Sequence, residues 1–176
     1  TLPHNVKIRR ETLESMTCLL EETTGERVTV ATVYDITRLK PFFGRVLQSD
    51  LKAYSFWGHV DLDMIFGDLR KFVTEEILAT HDRVFSRGHL CLYRNVDRIH
   101  EAFKLSAPGA VYYKDVVSKK VVLPFDEWDG VWKIFRYHGI PQYHRECIAD
   151  IIPSSNKIVR RFEASEITNH PHQFFY

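Results

Sequence analysis

Two aspartates one residue apart, Asp61 and Asp63, carry the pattern with the most definite chemistry in this sequence. In an extended chain, residues two apart point the same way, so both carboxylates would face one side while Leu62 faces the other. Two neighbouring carboxylates make each other's ionisation harder. A hard divalent cation such as Mn²⁺ or Mg²⁺ removes that conflict and suits oxygen ligands. Held there, it can stabilise the charge on a departing diphosphate, a Lewis-acid role. An Asp-x-Asp is also common as a plain solvated turn, so its setting has to discriminate.

A second acidic pair, Asp126 and Glu127, precedes Trp128. A carboxylate beside an apolar ring can have a raised pKa and take a proton from a hydroxyl. The same two residues also read as the acidic first turn of a helix, favoured by its dipole. Adjacent side chains diverge, so only one would serve as base, and Asp126 is the candidate. Lys40 and Arg38 can neutralise a phosphate or simply lie on a solvated helix face. Asp35 can bond a ribose or sugar hydroxyl, or cap the helix that follows it.

The histidines and tryptophans are less directive. His59 shares the alternation side of the aspartate pair and reads as a core histidine, and His89 reads as packing or pocket lining. His138, His144, His170 and His172 lack ligand spacing, although one of them could complete a metal shell. Trp57, Trp128 and Trp132 suit either a core or a stacking surface.

The elements that must position these residues alternate. Leu13, Met16, Leu19 and Leu20 have helical spacing within Glu11–Glu22, and Gly25 follows as a stop. A helix is expected from about Thr37 to Leu51, with Pro41 in its first turn or so. Tyr54 to Val60 reads as a buried central strand that empties into Asp61-Leu62-Asp63. Asp68 to about Leu78 reads as an amphipathic helix. Two short strands flank a turn at Gly88, and Asn95 opens another helix. Tyr112 to Val122 reads as a short helix and a loop. A further helix carries Trp128, Val131, Trp132 and Phe135 and stops near Gly139. Short strands follow at 147–152 and 158–162. The alternation predicts one α/β domain over residues 1–176 with a mainly parallel sheet flanked by helices.

Bulk properties exclude several classes. The 176 residues are 44% hydrophobic and 13% aromatic, enough for a packed core and unlike a disordered tail. Lys and Arg number 24 against 23 Asp and Glu, a net charge of +1 that offers no general pull on nucleic acid or anionic lipid. Phosphate binding would therefore be local. Cys18, Cys91 and Cys147 are scattered without a CxxC pair, which argues against a disulfide scaffold or a thiolate zinc site and for a reducing compartment. No apolar run approaches the roughly 18 residues that a membrane span needs, and no signal peptide opens the chain.

The string FWGHVDLDMIFGDLRKF, Phe56 to Phe72, resembles the core of a little-characterised family of GT-A-type glycosyltransferases associated with polysaccharide biosynthesis. Further blocks match in the same order: PHNVK from Pro3, YDITRLKPFFG from Tyr34, RGHLCLYRN from Arg87 and FDEW from Phe125. The resemblance implies a GT-A-like, Rossmann-like fold, a nucleotide-sugar donor, and a glycan or polysaccharide acceptor. It implies that Asp61 and Asp63 hold Mn²⁺ or Mg²⁺, that Asp35, Lys40 and Asp61 contact the donor, and that Asp126 lies on the acceptor side. The family normally has a further strand and loop before the first block. This chain starts at Thr1, so that strand is expected to be missing. The expected location is the cytoplasm, including a peripheral position on the inner face of the membrane. Rival readings are a non-catalytic glycan-binding or scaffolding domain and a metal-dependent phosphohydrolase.

Overall fold

A computed structural model describes residues 3–145 apart from 65, 87 and 122, together with the backbone of two strands at 147–152 and 157–162. In chain order the helices are α1 (Leu13–Thr24), α2 (Phe43–Val46), α3 (Gln48–Leu51), α4 (Glu75–Thr80), α5 (Asp97–His100), α6 (Tyr113–Ser118) and α7 (Lys133–Tyr137). The strands are β1 (Phe56–Val60), β2 (Arg83–Val84), β3 (Leu90–Arg94), β4 (Gln142–Tyr143), β5 (Cys147–Ile152) and β6 (Lys157–Phe162).

Helix α1 follows its sequence signals closely. Thr12 and Ser15 form a capping box, each side chain accepting from the other's backbone N–H, and Gly25 closes the helix at φ +71°. The expected single helix from Thr37 to Leu51 takes another form. A 3-10 run spans Val33–Phe42 and is followed by the single turns α2 and α3. Its start is set earlier than expected because the Asp35 carboxylate accepts from the Ala31 and Thr32 amides at 2.9 and 2.8 Å. Pro41 consequently lies near the end of the run. It has no N–H to extend an α-helical ladder, consistent with the tighter 3-10 form.

The helix expected from Asp68 to Leu78 is also interrupted. Asp68 caps only the short 3-10 turn Leu69–Lys71. Thr74 then accepts from the Ile77 amide at 3.3 Å and starts α4 afresh, a second capping residue that the apolar spacing conceals. Asn95 opens no helix. Its side-chain amide instead donates to the carbonyls of Leu51 and Tyr54, both at 2.7 Å, and α5 begins at Asp97.

The main sheet has the order β1-β3-β2-β4 and is mixed. β1 pairs antiparallel with β3 from Phe56↔Arg94 to Val60↔Leu90, β2 pairs antiparallel with β3, and β2 pairs parallel with β4. The expectation of a mainly parallel sheet is therefore corrected. The chain between β2, which ends at Val84, and β3, which begins at Leu90, is too short for the crossover of a dozen or more residues that parallel neighbours require. β1 is likewise not central: among the described strands it lies at the sheet's edge. Strands β5 and β6 form a separate antiparallel pair.

Helices pack on the sheet through a mainly apolar core. Phe42 lies 4.6 Å from Phe103 and 5.5 Å from Phe125, ring centre to ring centre, and Trp57 stacks on Tyr93 at 4.8 Å. Leu20, Leu39, Val116 and Ile134 have no exposed surface. Arg38 is a cation buried as structure: it donates to the carbonyls of Lys119, Val121 and Thr29, tying the 3-10 run to two other segments. No helix among the described residues is long and apolar enough to cross a membrane.

Candidate functional site

The antiparallel pairing of β1 with β3 brings the exit of the first strand beside the entry of the second. The ladder runs one step further, with the Asp61 amide donating to the His89 carbonyl at 2.9 Å. The chain then turns at Leu62 and Asp63, so the aspartate pair projects from a turn and not from extended backbone. Both aspartates line a cleft of about 660 Å³, and so does Leu62, which is 100% exposed. The expected alternation of Leu62 away from its neighbours stops at the strand's end.

Opposite stands Lys40, delivered by the 3-10 run. Its ammonium donates to Asp61 Oδ1 at 2.6 Å and to the Gly88 carbonyl at 3.1 Å. It also lies 3.8 Å from Asp126 Oδ2. Two candidate carboxylates far apart in sequence, Asp61 and Asp126, thus share the ammonium of a third candidate, Lys40. Asp63 lines the same cleft with an exposed carboxylate.

Asp126 forms the deeper wall. Only 8% of it is exposed, and burial pushes its pKa up to about 6, against the pull of the Lys40 ammonium. Its backbone is held from below by Arg83, which donates to the Asp126 carbonyl at 2.7 Å from a position with no exposed surface. The Arg83 guanidinium also reaches Gln142 Oε1 at 3.3 Å and Cys91 Sγ at 3.5 Å, and lies over the Tyr93 ring.

Gly88 is the turn residue between these walls. A β-carbon there would lie 2.6 Å from Asp126 Oδ2 and 3.3 Å from Glu127 Oε1. Only a residue without a side chain lets the turn close on the carboxylates while offering its carbonyl to Lys40. Neither Arg83 nor Gly88 stands out in the sequence as a site residue. A charged residue opening an otherwise apolar strand, and a glycine at a hairpin turn, were the available signals.

Other candidates are placed elsewhere. Asp35 does not line the cleft: the backbone N–H groups of Thr32 and Ala31 occupy its carboxylate and hold its pKa below the usual range. Arg38 lines the cleft, but its guanidinium is engaged by backbone carbonyls. His59 has both ring nitrogens buried without a hydrogen-bond partner. Burial, with the charges of Lys40 and Arg83, lowers its pKa to about 3, so it is neutral. The nearby Gly88 backbone pulls the other way without reversing the shift. His89 lines the cleft. His138 bonds to the Ser106 carbonyl at 2.9 Å. His144 bonds to Ser86 Oγ at 2.7 Å and packs edge-on against Trp128 and Trp132. Neither lines the cleft, and His170 and His172 lie outside the described residues. Trp57 is core, 5% exposed.

Among the described residues no three His, Cys, Asp or Glu side chains cluster as a complete protein cage for a metal. The pair at the cleft suits a different mode of binding. Mg²⁺ and similar ions are commonly held through one or two carboxylates, with substrate phosphates and water completing the shell. Asp61 and Asp63, which both line this open cleft, are the carboxylates that could serve such a mode.

The model of a family of unknown function, DUF6625, matches residues 1–176. No curated protein and no solved structure matches the chain.

Proposed function

Because the chain belongs to that family of unknown function, its site has to carry the functional reading, and we propose a metal-dependent glycosyltransferase of GT-A-like fold. It would move a sugar from a nucleoside-diphosphate donor to a hydroxyl of a glycan or polysaccharide. One observation carries this reading: Asp61 and Asp126 converge on the single ammonium of Lys40 within one open cleft, with Asp63 at the same cleft.

Asp61 and Asp63 would hold Mn²⁺ or Mg²⁺, which supplies charge stabilisation for the departing diphosphate. Lys40 would engage the same diphosphate. Asp126 is ionised at neutral pH yet poorly solvated, a state that suits a general base. In the transfer, the acceptor oxygen bonds to the anomeric carbon and the acceptor's proton passes to Asp126. The bond from that carbon to the diphosphate oxygen breaks, and its electron pair leaves with the nucleotide. The resemblance of the FWGHVDLDMIFGDLRKF string supports the same reading.

The test is a thermal-shift panel of nucleoside diphosphates with and without Mn²⁺, since a ligand that binds only the native state stabilises it by mass action. At least one diphosphate should raise the melting temperature in a Mn²⁺-dependent manner, and Asp63→Ala should abolish that rise without changing the unliganded melting temperature. An Asp63→Ala protein that keeps the full Mn²⁺-dependent rise would remove Asp63 from the site.

A further inference from the structure

The ammonium of Lys40 stands against the same carboxylate that the proposed function gives to a divalent cation. It contacts Asp61 Oδ1 at 2.6 Å, the Gly88 carbonyl at 3.1 Å and, as an ion pair, Asp126 Oδ2 at 3.8 Å. Two of the ammonium's three N–H donors make hydrogen bonds, to Asp61 and Gly88, and Asp126 adds a longer ion pair. The groups are largely shielded: the side chains of Lys40 and Asp126 are 12% and 11% exposed, and that of Asp61 is 31% exposed.

We propose that Lys40 is the resident counter-ion of this cleft, and that the site therefore takes up a divalent cation efficiently only together with a diphosphate. The inference rests on the reading that Asp61 and Asp63 are the metal's protein ligands. Lys40 cannot keep its contact with Asp61 beside a newly arrived dication, because like charges at contact distance repel. Leaving alone, it would strip the buried Asp126 carboxylate of its nearest counter-charge, an arrangement that buried charges resist. A diphosphate changes this, since its oxygens offer Lys40 a new anionic partner within reach of the same cleft. Uptake of cation and diphosphate is then positively linked, and each raises the affinity for the other by the same factor.

The prediction is opposite to what a simple electrostatic ligand role for Lys40 would give for its removal. Lys40→Gln should bind Mn²⁺ alone about tenfold more tightly than the unaltered protein, and inorganic diphosphate alone about tenfold more weakly. Free Mn²⁺ is followed by the loss of its aqueous electron paramagnetic resonance signal, and diphosphate by calorimetry in the presence of a chelator. Lys40→Gln/Asp126→Asn removes the unpaired buried carboxylate as well. It provides a second variant with the same expected gain in Mn²⁺ affinity should the single variant not fold. Mn²⁺ binding that is equal or weaker in the folded variant overturns the inference and leaves the proposed function standing. If the unaltered protein and the variants all fail to bind Mn²⁺, with or without diphosphate, the metal reading fails and this inference falls with it.

Discussion

Arg83, which has no exposed surface, donates to the backbone oxygen of Asp126 at 2.7 Å. The contact spans 43 positions in sequence and fixes the segment bearing the proposed base against the sheet. The same guanidinium reaches Gln142 from β4 and Cys91 from β3, so one side chain joins two strands to the wall of the cleft.

Replacing Arg83 by lysine should therefore be costly despite keeping the charge. A lysine lacks the planar fork and cannot serve these acceptors together. Leaving a buried polar group unsatisfied costs about 1–3 kcal/mol, more for a charged one. Urea denaturation of Arg83→Lys should show a loss of at least that size, and an unchanged midpoint would remove Arg83 from this role.

Asp126 gives a prediction with a definite sign in pH. Burial lifts its pKa from the ordinary 3.8 to about 6, so the folded chain holds the proton more tightly than the unfolded one. The stability this confers is present in full below pH 3.8 and is lost as pH rises through about 6. Asp126→Asn should accordingly gain stability relative to the parent at pH 7, by at most ~3 kcal/mol, with the gain shrinking towards pH 4. Loss of the ion pair with Lys40 reduces the gain. The same variant should lose sugar transfer. Melting curves of both proteins across pH 4–7 check the sign, and parallel curves would contradict it.

Gly88→Ala tests the closeness of the turn to the carboxylates. The added methyl would meet Asp126 Oδ2 at 2.6 Å, and overpacking of this kind costs typically about 1–3 kcal/mol. Most of that cost should disappear in the Asp126→Ala background, where the obstructing oxygen is gone. A double-mutant cycle measures the difference, and strict additivity would show that the two residues do not contact.

Where the determinants are local, the sequence reads directly. Thr12, Ser15 and Gly25 bound α1 within two residues of its apolar spacing, and the turn at Gly88 separates two short strands as expected. The acidic pair does follow a strand, and that strand's final ladder contact carries Asp61 to the cleft. What eluded the reading depends on distant partners. The direction of β1 is set by its pairing with β3, some 30 positions on, which no apolar periodicity encodes. Thr74 interrupts an otherwise regular helical pattern because one hydroxyl offers the backbone a competing start. Lys40 and Asp126 were each readable as residue types, but their meeting required the 3-10 run, the hairpin turn and the segment before Trp128 to converge.

Arg38 gives that convergence a fixed gauge. It sits two positions before Lys40, and its guanidinium grips the carbonyls of Lys119 and Val121, on the stretch of chain that leads to Asp126. The ammonium and the carboxylate facing it are therefore spaced by one rigid planar group outside the chemistry, much as a calliper holds its jaws. Widening the gap by moving either backbone would mean breaking those bonds. In the proposed transferase, a substrate would accordingly be accommodated by side chains such as Lys40 and not by movement of those backbones.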